Sequence, residues 1–101
     1  MRLAARIDDN HGEIADVLRQ VGCSVQSLAA CGHGIPDLLV GVGGFNLLFE
    51  IKDGSKAMSR RTLTGPQKTW HGAWHGKVHT VDSVSAALDL VAYYRGRLRR
   101  P

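Results

Sequence analysis

The chain has 101 residues, 44% of them hydrophobic and 22% charged, which fits one compact globular domain and excludes a disordered, collagen-like or disulfide-stapled chain. The longest apolar stretch, residues 38–49, is interrupted by three glycines and Asn46, so it is not the uninterrupted run of roughly 18 residues that marks a membrane helix. The start carries Arg6, Asp8 and Asp9 where a secretory leader would be apolar, and the expectation is a cytoplasmic protein with no membrane association. The net charge of +4 is unevenly spread. Residues 1–52 hold four basic and six acidic groups, a balance of −2, whereas residues 53–101 hold nine basic and three acidic, a balance of +6. An electropositive second half favours a polyanion such as nucleic acid, or else a well-solvated surface. Cys23 and Cys31 form no C-x-x-C pair, so zinc-ribbon and thioredoxin-type sites lack their spacing and reduced, buried thiols are expected.

In chain order, Ile14, Val17, Leu18 and Val21 fall at i, i+3, i+4 and i+7, which predicts a first helix stopped by Gly22. Asn10 is its expected N-cap, with Glu13 three residues on. A short strand is expected over 24–28, then a loose segment over 29–34. Two apolar runs, 37–42 and 45–52, flank Gly43-Gly44 and predict a hairpin with a two-residue turn. Both faces of these strands are largely apolar, which predicts a sheet covered on both sides. Residues 53–61 are polar, basic and aperiodic, and read as a loop. Thr64-Gly-Pro-Gln67 supplies the N-cap, proline and capping-box glutamine of a second helix, on which Trp70 and Trp74 share a face that suits core or dimer contact better than base stacking. Residues 77–81 read as a fourth strand. Ser83 then caps a last helix with Val84, Ala87, Leu88, Val91 and Ala92 on one side, followed by a basic tail from about residue 95 that should fray. The expected fold is a single α/β domain over residues 1–101 around one mixed sheet, in the order helix, three strands, helix, strand, helix.

The hairpin arithmetic carries the chemistry. With Gly43 and Gly44 as turn residues, Val42 faces Phe45, Val40 faces Leu47, and Asp37 faces Glu50. Such partners have Cβ atoms about 4.5 to 5.5 Å apart, where like charges repel unless something positive lies between them. Lys52 points to the same face as Glu50, about 6.7 Å further along the strand. Two acids and an ammonium thus occupy positions where a sheet alone would carry Val or Leu, and a broken local rule of this kind marks function. A hard cation such as Mg²⁺ takes one or two carboxylates and completes its shell with water and phosphate oxygens. Lysine beside it can orient water or offset charge on a phosphate, so phosphodiester cleavage suits these residue types.

Ile35-Pro36-Asp37, twelve intervening residues, then Glu50-Ile51-Lys52 resembles the signature of the PD-(D/E)xK nuclease superfamily. With Glu13 on a preceding helix, the entry Gly32-His33-Gly34, and Leu63-Thr-Gly-Pro-Gln67-Lys-Thr-Trp70 downstream, the chain from about Asp9 to Ala87 is similar to the small single-domain VRR-NUC branch found in phages and bacteria. The resemblance implies a restriction-endonuclease-like core and a Mg²⁺-dependent endonuclease, Mn²⁺ substituting, with no other small-molecule cofactor. It implies that Asp37 and Glu50 ligate metal with the Ile51 carbonyl, that Glu13 reaches in from the first helix, and that Gln67 sits beside Lys52 near the attacking water or scissile phosphate. Related stand-alone domains are similar to Holliday-junction resolvases, which act as homodimers, and this makes branched DNA the first substrate to consider. The Val-Arg-Arg triplet that names the branch is absent, and the stretch after the fourth strand reads Val81-Asp82-Ser83, which leaves the subfamily open.

Lys56, Arg60, Arg61 and Lys68 flank this site in sequence and are the expected phosphate contacts, which position a backbone without reading bases and so predict structure-selective cutting. His71 and His75 have the i, i+4 spacing of a zincin, but Gly72 stands where the general-base glutamate belongs. Gly41-Val-Gly43-Gly44 leads into a strand and lacks a dinucleotide loop's third glycine. Two other classes fit the sequence: a nucleic-acid-binding module without chemistry, and a dimerising adaptor built on the tryptophan helix.

Overall fold

Residues 10–58 and 62–97 are described by the computed structural model; Arg60, Arg61, the first nine residues and the last four of the basic tail lie outside them. The elements are α1 (His11–Gln20), β1 (Ser24–Ser27), a 3₁₀ turn (Ala29–Cys31), β2 (Leu38–Val42), β3 (Phe45–Ile51), α2 (Gly65–Ala73), β4 (Val78–Val81) and α3 (Val84–Arg95). They build a small α/β unit around one mixed four-stranded sheet in the order β1-β2-β3-β4, antiparallel across the first two junctions and parallel between β3 and β4. Among the described residues no helix is long and apolar enough to cross a membrane.

The hairpin adopts the expected register: Val42 pairs with Phe45, Val40 with Leu47 and Leu38 with Phe49. Gly43 and Gly44 hold φ at 58° and 84°, the positive values that a two-residue turn needs to match the strand twist and that glycine adopts without strain. Alternation then sorts the two faces. Leu38, Val40, Val42, Leu47, Phe49 and Ile51 point into the core with Ile14 and Leu18 of α1 and Ala87, Val91 and Tyr94 of α3. The opposite face carries Leu39, Leu48 and Glu50, and Leu39 is 37% exposed.

The expectation of a sheet covered on both sides is therefore corrected. The helices α1 and α3 pack together over one face, while α2 buries no residue and reaches the other face where Gln67 and His71 meet Glu50 and Lys52. Smaller corrections have local causes. Asn10 sits at the N-cap position of α1 but makes no cap bond. Its amide instead donates to the carbonyls of Lys52 (3.0 Å) and Asp82 (3.3 Å), tying α1 to the ends of β3 and β4. On α3 the buried stripe is Ala87, Val91 and Tyr94, with Ala92 exposed. The tail is docked as far as residue 97: Arg95 donates to the Val21 carbonyl, and the Arg97 guanidinium lies 4.3 Å from the Tyr93 ring centroid. Cys23 is buried but Cys31 is exposed, and both are free thiols.

Candidate functional site

Asp37 lies in a bend one residue before β2, so the expected Asp37–Glu50 ladder pair is not formed, and its carboxylate instead reaches across to the β3 backbone. Its Oδ2 accepts the Ile51 amide N–H at 2.7 Å, and its own carbonyl accepts from Leu28 at 2.7 Å. Glu50, one residue before that amide, is 2% exposed, Asp37 6% and Lys52 7%. Lys52 follows Glu50 by two residues and is held by its backbone, which donates to Val81 O at 2.8 Å. Two carboxylates and an ammonium are thus buried together at one end of the hairpin, fixed by strand register and by the β3–β4 pairing.

The second helix closes the arrangement. Thr64 and Gln67 form a capping box, each side chain bonding the other's backbone N–H. The same Gln67 side chain does more than cap: its Oε1 accepts from Lys52 Nζ at 2.8 Å, and its Nε2 donates to Glu50 Oε2 at 3.0 Å. Ammonium only donates and carboxylate only accepts, so these partners determine which way the amide points. Lys52 Nζ itself lies 4.0 Å from Glu50 Oε2. The box packs against the turn before β2 at Gly34, where an added Cβ would fall 2.3 Å from the Pro66 carbonyl oxygen, at a φ of +80°. Only a glycine allows that approach.

His71, one turn beyond Gln67, places Nε2 3.6 Å from Glu50 Oε1 with a side chain 12% exposed. Burial pushes its imidazole below the usual histidine range, the neighbouring Lys52 ammonium adds to this, and Asp37 opposes it, so a neutral ring faces Glu50 at pH 7. The sequence pairs His71 with His75 at a zincin spacing, yet His75 is exposed; the local signal that places His71 at the site is its i, i+4 relation to Gln67, which puts both on one helix face.

Not every expected residue joins this cluster. Glu13 is exposed and lines a different, open groove with Asn10, Asp53, Gly54, Ser55, Asp82, Ser83 and Val84. In that groove Asp53 Oδ1 accepts from the Ser55 amide and hydroxyl at 2.9 and 2.6 Å, which holds the Asp53 carboxyl below its ordinary range. The Ile51 side chain is in the core, and its backbone contribution here is the N–H given to Asp37. Lys56 is half-buried and Lys68 exposed; Arg60 and Arg61 lie outside the described residues.

The donor chemistry suits a hard divalent ion. Among the described residues no group of three or more His, Cys, Asp and Glu side chains could hold a metal by itself, and the site offers two carboxylates from adjacent strands. That matches an ion which draws one or two carboxylates from protein and takes water and phosphate oxygens for the remainder. Comparison of the chain with family models, with curated proteins and with solved structures found no match.

Proposed function

We propose that the chain is a metal-dependent endonuclease of PD-(D/E)xK type, built on a restriction-endonuclease-like core and hydrolysing phosphodiester bonds of DNA. The observation that carries this reading is the convergence of Asp37, Glu50, Lys52 and Gln67 from two strands and a helix into one buried polar cluster. A purely structural hairpin end has no use for it: replacing a buried ion pair with apolar side chains of similar volume is often neutral or stabilising. Bound by Asp37 and Glu50, Mg²⁺ or Mn²⁺ would offset charge on the scissile phosphate and make an attacking hydroxide accessible near neutral pH. Lys52 directs its ammonium at the developing negative charge on phosphate, where a fixed donor needs no reorganisation. Gln67 holds Lys52 and Glu50 in mutual register. The DNA backbone is met by Lys56, Arg60, Arg61 and Lys68, and cutting selects by shape, with four-way junctions and other branched DNA the leading substrates. A homodimer would supply two matched cuts, and the cytoplasm of a bacterial cell, with host or phage DNA, is the setting.

Labelled four-way junction, flap, duplex and single-stranded DNA incubated with Mg²⁺, Mn²⁺ or EDTA test this directly. Cleavage is expected with either ion and not with EDTA. Asp37→Ala should abolish it, and Lys52→Ala should slow it by about 100-fold or more, the usual cost of losing a fixed charge-stabilising donor. Cleavage that survives Asp37→Ala refutes the assignment.

A further inference from the structure

On α2, Gln67, Trp70 and His71 stand at i, i+3 and i+4, and Trp74, the C-cap residue with extended backbone, follows at i+7. In a globular domain such a stripe is normally covered. Here Gln67 and His71 meet Glu50 and Lys52, while Trp70 is half-buried and Trp74 is 50% exposed, and no residue of α2 is buried. The two indoles stack on each other with centroids 4.8 Å apart and planes 15° from parallel, and Trp70 meets the His71 ring edge-on at 6.0 Å. An aromatic platform therefore begins about one turn past Gln67, beside the acids, and ends at the C-cap of α2.

The charge of the flanking sequence decides between its possible occupants. Residues 54–81 contain five lysines and arginines and not one aspartate or glutamate, and Lys68 and Lys77, on either side of the tryptophans in sequence, are exposed. A two-fold contact between two copies through this face would oppose two positive surfaces. A polyanion carrying flat aromatic rings complements both features, since bases stack on indoles while lysines follow the backbone.

We infer that the Trp70–Trp74 stack is a stacking platform for an unpaired nucleotide of a single-stranded DNA segment lying next to the bond cleaved at the Asp37–Glu50 site. The inference rests on the nuclease reading for the position of the cut, but binding at the platform is measurable without catalysis. The chain contains only these two tryptophans, so its indole fluorescence reports on this surface alone.

The experiment titrates the full chain in EDTA, so that no strand is cut, with single-stranded oligo-dT and with a blunt duplex of the same length. Oligo-dT should quench the fluorescence more strongly than duplex. Trp74→Ala should weaken oligo-dT binding about tenfold, in keeping with the loss of one base–aromatic stack, while Trp74→Phe should keep most of the affinity. Equal quenching by duplex, or oligo-dT affinity untouched by Trp74→Ala, overturns the platform. So does sedimentation showing a dimer that Trp74→Ala dissociates without changing oligo-dT affinity, which would make the face a self-contact. The two readings fail separately. Mg²⁺-dependent cleavage without selective quenching leaves the nuclease and removes the platform, and selective quenching without cleavage of any DNA does the reverse.

Discussion

Lys52 serves two ends with one ammonium. It holds the Gln67 amide by a direct bond and lies 4.0 Å from a Glu50 carboxylate that is almost wholly buried. Removing one partner of such a pair leaves the other charge in a poor environment, at a cost of about 3 to 5 kcal/mol. Lys52→Met should therefore lower unfolding stability by about that amount in urea, and adding Glu50→Gln should restore much of it because the Glu50 charge left unpaired by the first change is then gone. Full loss in the double variant as well would mean that Lys52 contributes packing rather than charge. His79 makes a second residue-level prediction. Its ring bonds the Tyr94 hydroxyl at 2.8 Å, and burial, aided by Lys77, pushes its pKa below the usual value. The folded state thus binds the proton less readily than the unfolded chain, so this site's contribution to stability is intact above the unfolded pKa of about 6.5 and falls as pH drops below it. Replacing His79 by Gln should flatten the fall in melting temperature between pH 7 and 5, with His71 accounting for part of the slope that remains.

At the scale of elements, α2 matters for what its first turn fixes rather than for what it buries. Thr64 caps the helix, Gln67 returns the bond, and the amide that completes the box also spans Glu50 and Lys52. Thr64→Ala removes a cap worth about 0.5 to 2 kcal/mol, and because the same glutamine orients the site, cleavage should fall more than stability does; denaturation and kinetics on one preparation compare the two. Gly34→Ala is the harsher test. An added Cβ cannot share space with the Pro66 carbonyl, and its φ of +80° disfavours any other residue. Amide exchange across Gly65–Ala73 should speed up in that variant while β2 and β3 keep their protection. Uniform loss of protection would show that α2 and the sheet form one cooperative unit.

Across the whole molecule, charge and shape are arranged by face. The helices α1 and α3 seal one side of the sheet, whereas the other carries the polar cluster, the open Leu39 and the first turns of α2, where Lys68 is exposed. Binding to DNA through that side should depend on salt: each phosphate contact costs about 3.5-fold in affinity when monovalent salt rises from 50 to 200 mM. Three contacts would give about a 40-fold loss by filter binding or anisotropy, and an affinity that ignores salt would exclude a phosphate-directed surface.

Much of the fold could be read from residue order because its rules are local. A glycine pair between two apolar runs sets the hairpin register, and register alone predicts that positions 37 and 50 share a face; Thr64-Gly-Pro-Gln67 announces the start of a helix. Other features depend on how separate elements meet. No periodicity could say that Asn10 would leave its capping role to hold the ends of β3 and β4, that Glu13 would line a groove with Asp53 and Asp82, or that His71 would approach Glu50. The tryptophan stripe shows the division most clearly. Its spacing is legible in the chain, but whether a stripe is buried depends on which surface lies opposite, and here α2 buries no residue and leaves Trp74 50% exposed. Local spacing determines which side chains share a face, whereas only tertiary packing decides what that face meets, because burial is a relation between elements distant in sequence.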